Sequence, residues 1–305
     1  MNVGTFEVPA AYLKKGIDNM KIIDVITGEK PSLSFEVFPP KTSSKFESVI
    51  EAAEKIAGLN PTYMSVTYGA GGGTSEYTGE IAERLSALGV PSMAHLSCIS
   101  STKEMVHSEL DKLRARGIES ILGLRGDIPE DFDRSKMEYR YACELIEEIR
   151  DYGGFCIGGA CYPEKHPESE NIDRDLEYLK IKADAGCEFF TTQMFFDNDV
   201  FYNFLYRMLR KGIDVPVVAG IMPITNVKQV ERSVAMSGTA MPQKFLRLVD
   251  KYGDKPEAMK QAGIAYATAQ IIDLYANGIN AVHVYSMNKP DVAEAIQKNL
   301  SGIIG

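Results

Sequence analysis

The sequence predicts an α/β chain folded as one (β/α)8 TIM barrel with a short helical extension at its N-terminus. Three observations predict it. Helix-like stretches that end in glycine are followed, again and again, by an apolar β-rich run. The strand starts mostly recur about every 30 residues, the length of a βα unit. The strand runs themselves are near-continuously apolar, as expected when helices cover both faces of a parallel sheet.

The first strand is expected over 33–38, stopped by Pro39 and Pro40, which lack the N–H a ladder needs. Gly58 precedes a strand at 63–67, and Gly89 one at 92–97. Gly117 and Gly154 precede strands at 121–124 and 155–161. Gly186, Gly212 and Gly278 precede strands at 189–196, 215–221 and 281–286. Each glycine is expected to stop its helix in the left-handed conformation. Between strands, Phe46, Val49, Ile50, Ala53, Ile56 and Ala57 keep the spacing of one helical face. Val200, Phe201, Phe204, Leu205, Met208 and Leu209 do the same. Ser101-Thr-Lys-Glu104 has the form of a capping box. Asn2 to Asn19 reads as a short leading helix, and 226–276 has room for two or three helices. The whole chain, 1–305, reads as a single catalytic domain with the barrel proper at about 33–300. A doubly wound open sheet is the alternative, weakened because no GxGxxG follows any strand.

Composition narrows the function. The hydrophobic share is 45% and the net charge is −9, with no Lys/Arg-rich run, which argues against a nucleic-acid surface. No run of 18 apolar residues and no signal-peptide pattern occurs, so no membrane partner is expected and the cytoplasm is the default location. Cys98, Cys143, Cys156, Cys161 and Cys187 are irregularly spaced without a CxxC. They read as buried free thiols, and no metal site is expected.

Glu36 stands inside Ser34-Phe-Glu-Val-Phe-Pro-Pro40, among aromatic and β-branched neighbours. Burial there raises a carboxyl pKa toward the range in which it delivers a proton near neutral pH. An edge-strand Glu facing water is the competing reading. In a TIM barrel, chemistry gathers at the C-terminal ends of the strands. Those ends here carry Glu36, Thr67-Tyr68, His95, Arg125-Gly126-Asp127, Tyr162 to His166, Gln193, and Tyr285 leading to Lys289. Singly, each has a structural explanation, such as a satisfied core histidine at His95. Together they point to a pocket for a large, flat, partly anionic ligand, with Arg125 and Lys182 as candidate phosphate binders. Gly69-Ala-Gly-Gly-Gly73 lacks the Lys-Ser/Thr of a P-loop and reads as a flexible loop near the ligand.

The chain resembles the bacterial type of methylenetetrahydrofolate reductase. The resemblance rests on Phe-Glu36-Val-Phe-Pro-Pro, Ser65-Val-Thr-Tyr-Gly-Ala70, Ala94-His-Leu-Ser-Cys98 and Leu124-Arg-Gly-Asp127. Tyr162-Pro-Glu-Lys-His-Pro167, Lys182-Ala-Asp-Ala-Gly186, Thr192-Gln-Met-Phe-Phe-Asp197 and Gly220-Ile-Met-Pro-Ile-Thr-Asn226 continue it in the family's order. It implies a TIM barrel with non-covalent FAD that reduces 5,10-methylenetetrahydrofolate to 5-methyltetrahydrofolate, in one-carbon metabolism that feeds methionine synthesis. It implies Glu36 as the general acid that protonates folate N10, after which reduced flavin gives hydride to the exposed iminium. Asp127 matches the acid near flavin and folate, where its charge favours hydride release. Thr67, Tyr68, Ala70, His95, Arg125, Gly126, Tyr141, Ala142, Tyr162, His166, Asp175 and Lys182 fall at FAD-contacting positions. Gln193, Gln229 and Lys289, with Asp127, fall at substrate-contacting ones.

Two positions depart from the family pattern. Ser233 stands where an aromatic often packs on the adenine of NADH, and Lys289 where an Arg binds substrate. NADH is the donor the resemblance implies. Ser233 motivates the alternative of a flavin- and folate-binding subunit that takes electrons from a partner protein. Proline dehydrogenases, also FAD barrels acting beside a carbon–nitrogen bond, are a further alternative that the Glu36 motif and Gln193 oppose. Family members often form homo-oligomers, and no C-terminal regulatory domain of the eukaryotic kind is expected.

Overall fold

The structure is a computed structural model that describes residues 21–40, 42–68, 75–128, 133 and 137–305. Helix α1 (Ile22–Ile26) precedes β1 (Ser32–Val37), and a short 3-10 turn (Ser43–Lys45) leads into α2 (Phe46–Ala57). The alternation continues as β2 (Met64–Val66), α3 (Ser75–Ala87), β3 (Ser92–Ser97), α4 (Lys103–Ala115), β4 (Ser120–Leu124) and α5 (Ala142–Tyr152). It runs on through β5 (Cys156–Cys161), α6 (Ile172–Asp184), β6 (Phe189–Thr192), α7 (Asn198–Arg210) and β7 (Val217–Ile221). Three helices, α8 (Val227–Ser237), α9 (Gln243–Tyr252) and α10 (Pro256–Ala276), fill the long interval before β8 (Ala281–Tyr285) and α11 (Pro290–Ile304).

The eight strands form a closed barrel in sequence order. Closure is parallel pairing of β1 with β8, which sets Ser34 opposite His283 and Glu36 opposite Tyr285. On its other side β1 pairs with β2, with Glu36 opposite Ser65. This is the expected (β/α)8 TIM barrel, with strands close to where the sequence puts them. The exception is β6, which ends at Thr192 rather than 196. Met194 and Phe196 instead turn into a satellite core with Met222, Ile224, Phe245 and Met259 beneath α9 and α10. Gly263 of α10 sets that packing, because a side chain there would overlap the Ile224 carbonyl.

The main core lies between sheet and helices, as the apolar spacing requires. Val49, Ala53, Ile56 and Ala57 of α2 and Phe201, Phe204 and Met208 of α7 are buried. Leu209 is not: it is 64% exposed at the end of α7, so that apolar face is narrower than expected. The barrel's lower end is closed by α1. Ile22 and Ile26 are buried against Tyr63, Met93, Leu122 and Phe189 inside the strand ring. Burying each isoleucine contributes about 1.5–3 kcal/mol. The Ile22 N–H donates to Ser120 Oγ at 3.2 Å, which satisfies a helix-start donor in the interior. The leading helix expected at Asn2 to Asn19 lies outside the described residues, as does the loop at 69–73.

Two local expectations are corrected. Gly58 has φ −61°, and the left-handed turn falls instead on Asn60 at φ 55°. The first turn of α4 is capped by Thr102, whose hydroxyl accepts from Met105 N–H at 3.2 Å, while Ser101 donates back to the Ser97 carbonyl. Cys98, Cys156, Cys161 and Cys187 are buried free thiols, and Cys143 is half-buried. Burial pushes Cys98, Cys156 and Cys187 up to about 12, so they carry no thiolate at neutral pH. No described helix is long and apolar enough to cross a membrane.

Candidate active site

A cavity of about 660 Å³ opens at the C-terminal ends of the strands, within the size range of small-molecule and cofactor sites. Glu36, Thr67, Tyr68, His95, Arg125, Gly126, Asp127, Ala142, Tyr162, His166, Lys182, Gln193 and Gln229 all line it. Thirteen expected residues from six strands and the loops after them, with α5, α6 and α8, thus meet on one cavity. Its apolar lining comes from Met93, Leu122, Leu124, Met194, Met222 and Met287.

Glu36 points from β1 into this space, its side chain 18% exposed. Burial pushes its carboxyl up to about 8 from an ordinary 4.5, so it is protonated at pH 7 while the cavity stays dry. His95 Nε2 lies 3.9 Å from Glu36 Oε2, which is too long for a hydrogen bond. Burial also pushes His95 down to about 3. Both groups are therefore neutral at pH 7, and the contact is not an ion pair. His95 Nε2 is buried and has no hydrogen-bond partner among the described residues, so it is a polar atom left for a ligand.

Below Glu36 a second histidine is fully engaged. Ser34 Oγ donates to the Val282 carbonyl at 3.0 Å and lies 2.7 Å from His283 Nδ1. With its proton committed, Ser34 must accept from Nδ1–H. His283 Nε2 then accepts from Ser65 Oγ at 2.8 Å. That fixes the tautomer of an imidazole that burial holds neutral, at about 3. Tyr63 stacks on this ring with centroids 5.4 Å apart, and Tyr285 meets it edge-on at 5.8 Å. The Tyr285 hydroxyl donates to the Thr192 carbonyl, tying β8 to β6 across the barrel. The floor is thus a rigid polar layer without net charge.

The rim carries the charges. Arg125 Nη1 and Nη2 donate to the Glu168 carboxylate at 2.5 and 2.8 Å, a bidentate pair that holds the guanidinium at the mouth. Glu168 is 59% exposed, so the pair contributes no more than about 1 kcal/mol to stability. Glu168→Ala is accordingly expected to shift the melting temperature by under about 3 °C, measured by calorimetry. Lys182 donates to the Ala160 carbonyl and lies 5.8 Å from the Phe190 ring centre. Tyr162 packs edge-on against His166 with centroids 4.6 Å apart. Gly126, at φ 87°, lets the backbone turn close over Ser97.

The remaining expected residues lie around the cavity rather than in its wall. Tyr141 is an exposed rim residue stacked on Tyr178 at 6.4 Å. Its N–H donates to Glu144 at 3.0 Å at the start of α5, which sets Ala142 at the cavity. Asp175 accepts from His166 N–H at 3.1 Å and from Ser169 Oγ at 2.6 Å, so it shapes the loop that bears His166. Lys289 Nζ donates to Thr225 Oγ1 at 3.0 Å. Gln229 Oε1 accepts from Thr225 N–H at 2.7 Å and its hydroxyl at 2.9 Å. Thr225 therefore brings Lys289 beside Gln229, whose amide NH2 is the end free to face a ligand. Ala70 lies outside the described residues. Sequence reasoning missed His283, Lys228, Arg232 and Met236, which also line the cavity. A lone histidine inside the apolar run 281–286 was a signal for the first. Among the described residues, no three His, Cys, Asp or Glu side chains are placed to hold a metal ion.

A closed parallel barrel with a neutral carboxyl and convergent polar groups at its C-terminal mouth defines a TIM barrel with a candidate active site. The family model described as methylenetetrahydrofolate reductase matches residues 21–301. The chain belongs to the methylenetetrahydrofolate reductase family. It is 36% identical over 302 residues to methylenetetrahydrofolate reductase (NADH) 1 of Arabidopsis thaliana, covering 92% of this chain and 51% of that protein. It is 34% identical over 266 residues to the 5,10-methylenetetrahydrofolate reductase of Pectobacterium carotovorum subsp. carotovorum, covering 87% and 88%. The corresponding Escherichia coli (strain K12) protein is 32% identical, covering 87% and 89%. The chain thus spans about half the length of the plant relative and most of the bacterial ones. Among solved structures, it is similar in fold to an uncharacterized protein from Clostridium thermocellum described as binding two copies of 5-methyl-5,6,7,8-tetrahydrofolic acid. The TM-score is 0.65 at 17% identity, covering 92% of this chain and 97% of that one.

Proposed function

We propose that this chain reduces 5,10-methylenetetrahydrofolate to 5-methyltetrahydrofolate, with FAD as cofactor and Glu36 as general acid. The observation that carries the proposal is a largely buried carboxyl set by β1 at the wall of the strand-end cavity, where burial pushes it up to about 8. Such a group keeps its proton at neutral pH and can give it to a substrate nitrogen. Protonation at folate N10 lets the five-membered ring open and leaves an iminium at N5. The match to the methylenetetrahydrofolate reductase family model supports the substrate class.

The residues present fit FAD. An apolar lining of methionine and leucine suits a flat ring, the orphaned His95 Nε2 offers a polar contact, and Arg125 and Lys182 at the cavity suit a pyrophosphate. Bound and reduced, FAD supplies the hydride that the substrate receives. This chain's own part is to position the two ligands, exclude water and hold the proton on Glu36. Thr67, Tyr68, His95, Arg125, Gly126, Asp127, Ala142, Tyr162, His166 and Lys182 would line the cofactor's place, with Tyr141 and Asp175 supporting it. Asp127, Gln193, Gln229 and Lys289 would hold the folate. Asp127 is exposed on the rim near Arg125 and Tyr162, where its charge disfavours added negative charge nearby. The same reading places the protein in the cytoplasm as a homo-oligomer.

The proposal is tested anaerobically by adding 5-methyltetrahydrofolate to the FAD-loaded protein. Bleaching of the visible flavin band is the expected result, and an unchanged band on a yellow protein would sink the folate assignment. The electron donor has two readings. NADH is named for the plant relative. Ser233 is buried at the cavity wall and offers no aromatic face for an adenine, which favours a partner protein as donor. Fast flavin reduction by NADH in stopped flow would select the first, and slow reduction the second.

A further inference from the structure

The turn after β8 ends in an arrangement that the proposed chemistry does not by itself require. Beyond Glu36, β1 has no further partner on β8, because the paired stretch stops at Glu36 and Tyr285. The next backbone groups, at Phe38, are instead met by one side chain. Phe38 N–H donates to Asn288 Oδ1 at 2.9 Å, and Asn288 Nδ2 donates to the Phe38 carbonyl at 2.9 Å. The amide thus extends the ladder by one residue, just before Pro39 and Pro40, which offer no donor. Two residues earlier, Ser286 Oγ donates to the Glu36 carbonyl at 2.6 Å. To present these groups the chain takes two successive left-handed residues, Met287 at φ 57° and Asn288 at φ 52°. A non-glycine residue there stores roughly 1–3 kcal/mol of strain, and such strain clusters at functional sites. Between the two anchors, Met287 lines the cavity.

We infer that Ser286 and Asn288 are positioning residues that lock the end of β1, so that the Glu36 side chain is held in its dry place against the cavity. The inference rests on the reading of Glu36 as the acid, but its geometry concerns the carboxyl's environment and is testable without turnover. The titratable groups facing Glu36 are His95 from β3, Tyr63 ahead of β2 and Tyr285 from β8. Asn288 and Ser286 carry no charge themselves. Their loss therefore acts on Glu36 only through how far water reaches it.

The test uses protein labelled with carboxyl-13C glutamate, with Glu36→Gln to assign the Glu36 signal. Asn288→Gly keeps a backbone that tolerates the left-handed turn while deleting the bridge. Ser286→Ala deletes the other anchor with little change in volume, and Ser286→Thr restores the hydroxyl. The wild-type Glu36 signal is expected to titrate at about 8. In Asn288→Gly and Ser286→Ala it is expected to move down by about one pH unit or more, as water enters, and to return in Ser286→Thr. Folded Asn288→Gly and Ser286→Ala proteins with the wild-type midpoint would overturn the inference. If Glu36→Gln retained folate turnover, the acid assignment would fail, yet the midpoints would still decide whether the turn positions Glu36.

Discussion

Glu36→Gln is expected to lower the rate of folate reduction by about 10²–10⁴-fold while leaving FAD uptake unchanged. That range is what a positioned general acid contributes. Glutamine is nearly isosteric but has no proton to give at any working pH. The same change should stabilise the protein at alkaline pH, which separates loss of chemistry from loss of fold. The folded-state carboxyl titrates at about 8 and the unfolded one near 4.5. Between those values the folded state binds more protons than the unfolded one, so stability falls as pH rises through that window. The wild type therefore loses, by pH 9, a contribution that is fully present below pH 4.5, and the Gln variant loses nothing. Allowing for the part of the side chain that faces the cavity, Glu36→Gln is expected to be more stable at pH 9 by roughly 2–4 kcal/mol. The two proteins should be nearly equal at pH 5. Denaturant unfolding of the FAD-free proteins at both pH values measures this. A variant that lost activity and also melted early at pH 9 would point to a structural role instead.

The second large effect is expected at Gly220. A Cβ on this β7 residue would overlap the Thr192 carbonyl oxygen and the Tyr285 hydroxyl, and would sit 2.9 Å from Tyr285 Cε2. The first obstacle is backbone and cannot step aside, and the second can move only by giving up its hydrogen bond. The Thr192 carbonyl belongs to β6, and the half-buried Tyr285 side chain is tied to that same carbonyl. Gly220 N–H also donates to Thr192 Oγ1 at 2.8 Å, so the β6–β7 spacing is fixed here. Gly220→Ala is expected to destabilise the barrel by about 3 kcal/mol, the upper range for overpacking a tight core. It should also displace Tyr285, the cross-strand neighbour of Glu36, and weaken folate binding. Denaturant unfolding reads the first effect, and KM for folate the second.

The barrel was legible because its signals are local. Glycine followed by an apolar run recurs before seven of the eight strands, and Pro39-Pro40 marks where β1 must stop. The convergence on the cavity was legible for residues at strand ends, since a TIM barrel brings those ends together whatever the helices do. What escaped depends on contacts across the closure. Ser34 meets His283 across 249 positions, and no periodicity encodes that pairing. Asn288 reaches Phe38 across 250 positions, and its left-handed backbone leaves only the general tolerance of Asn as a trace in sequence. Lys228, Arg232 and Met236 escaped because α8 belongs to the long insert, where no strand end dictates which way a helix faces. Asp175 shows a subtler limit: its carboxylate orders the His166 loop through His166 N–H and Ser169 Oγ, contacts that no periodicity in the sequence encodes.

The central claim is that Glu36 delivers its proton from a protonated resting state, and the pH dependence of one step tests it most directly. Reduced, FAD-loaded protein is mixed anaerobically with 5,10-methylenetetrahydrofolate, and flavin reoxidation is followed in a single turnover from pH 6 to 10. The rate is expected to be level at low pH and to fall about tenfold per pH unit above a midpoint near 8, with no such limb in Glu36→Gln. A wild-type rate that stayed level to pH 10, or an unchanged limb in the Gln variant, would contradict the account.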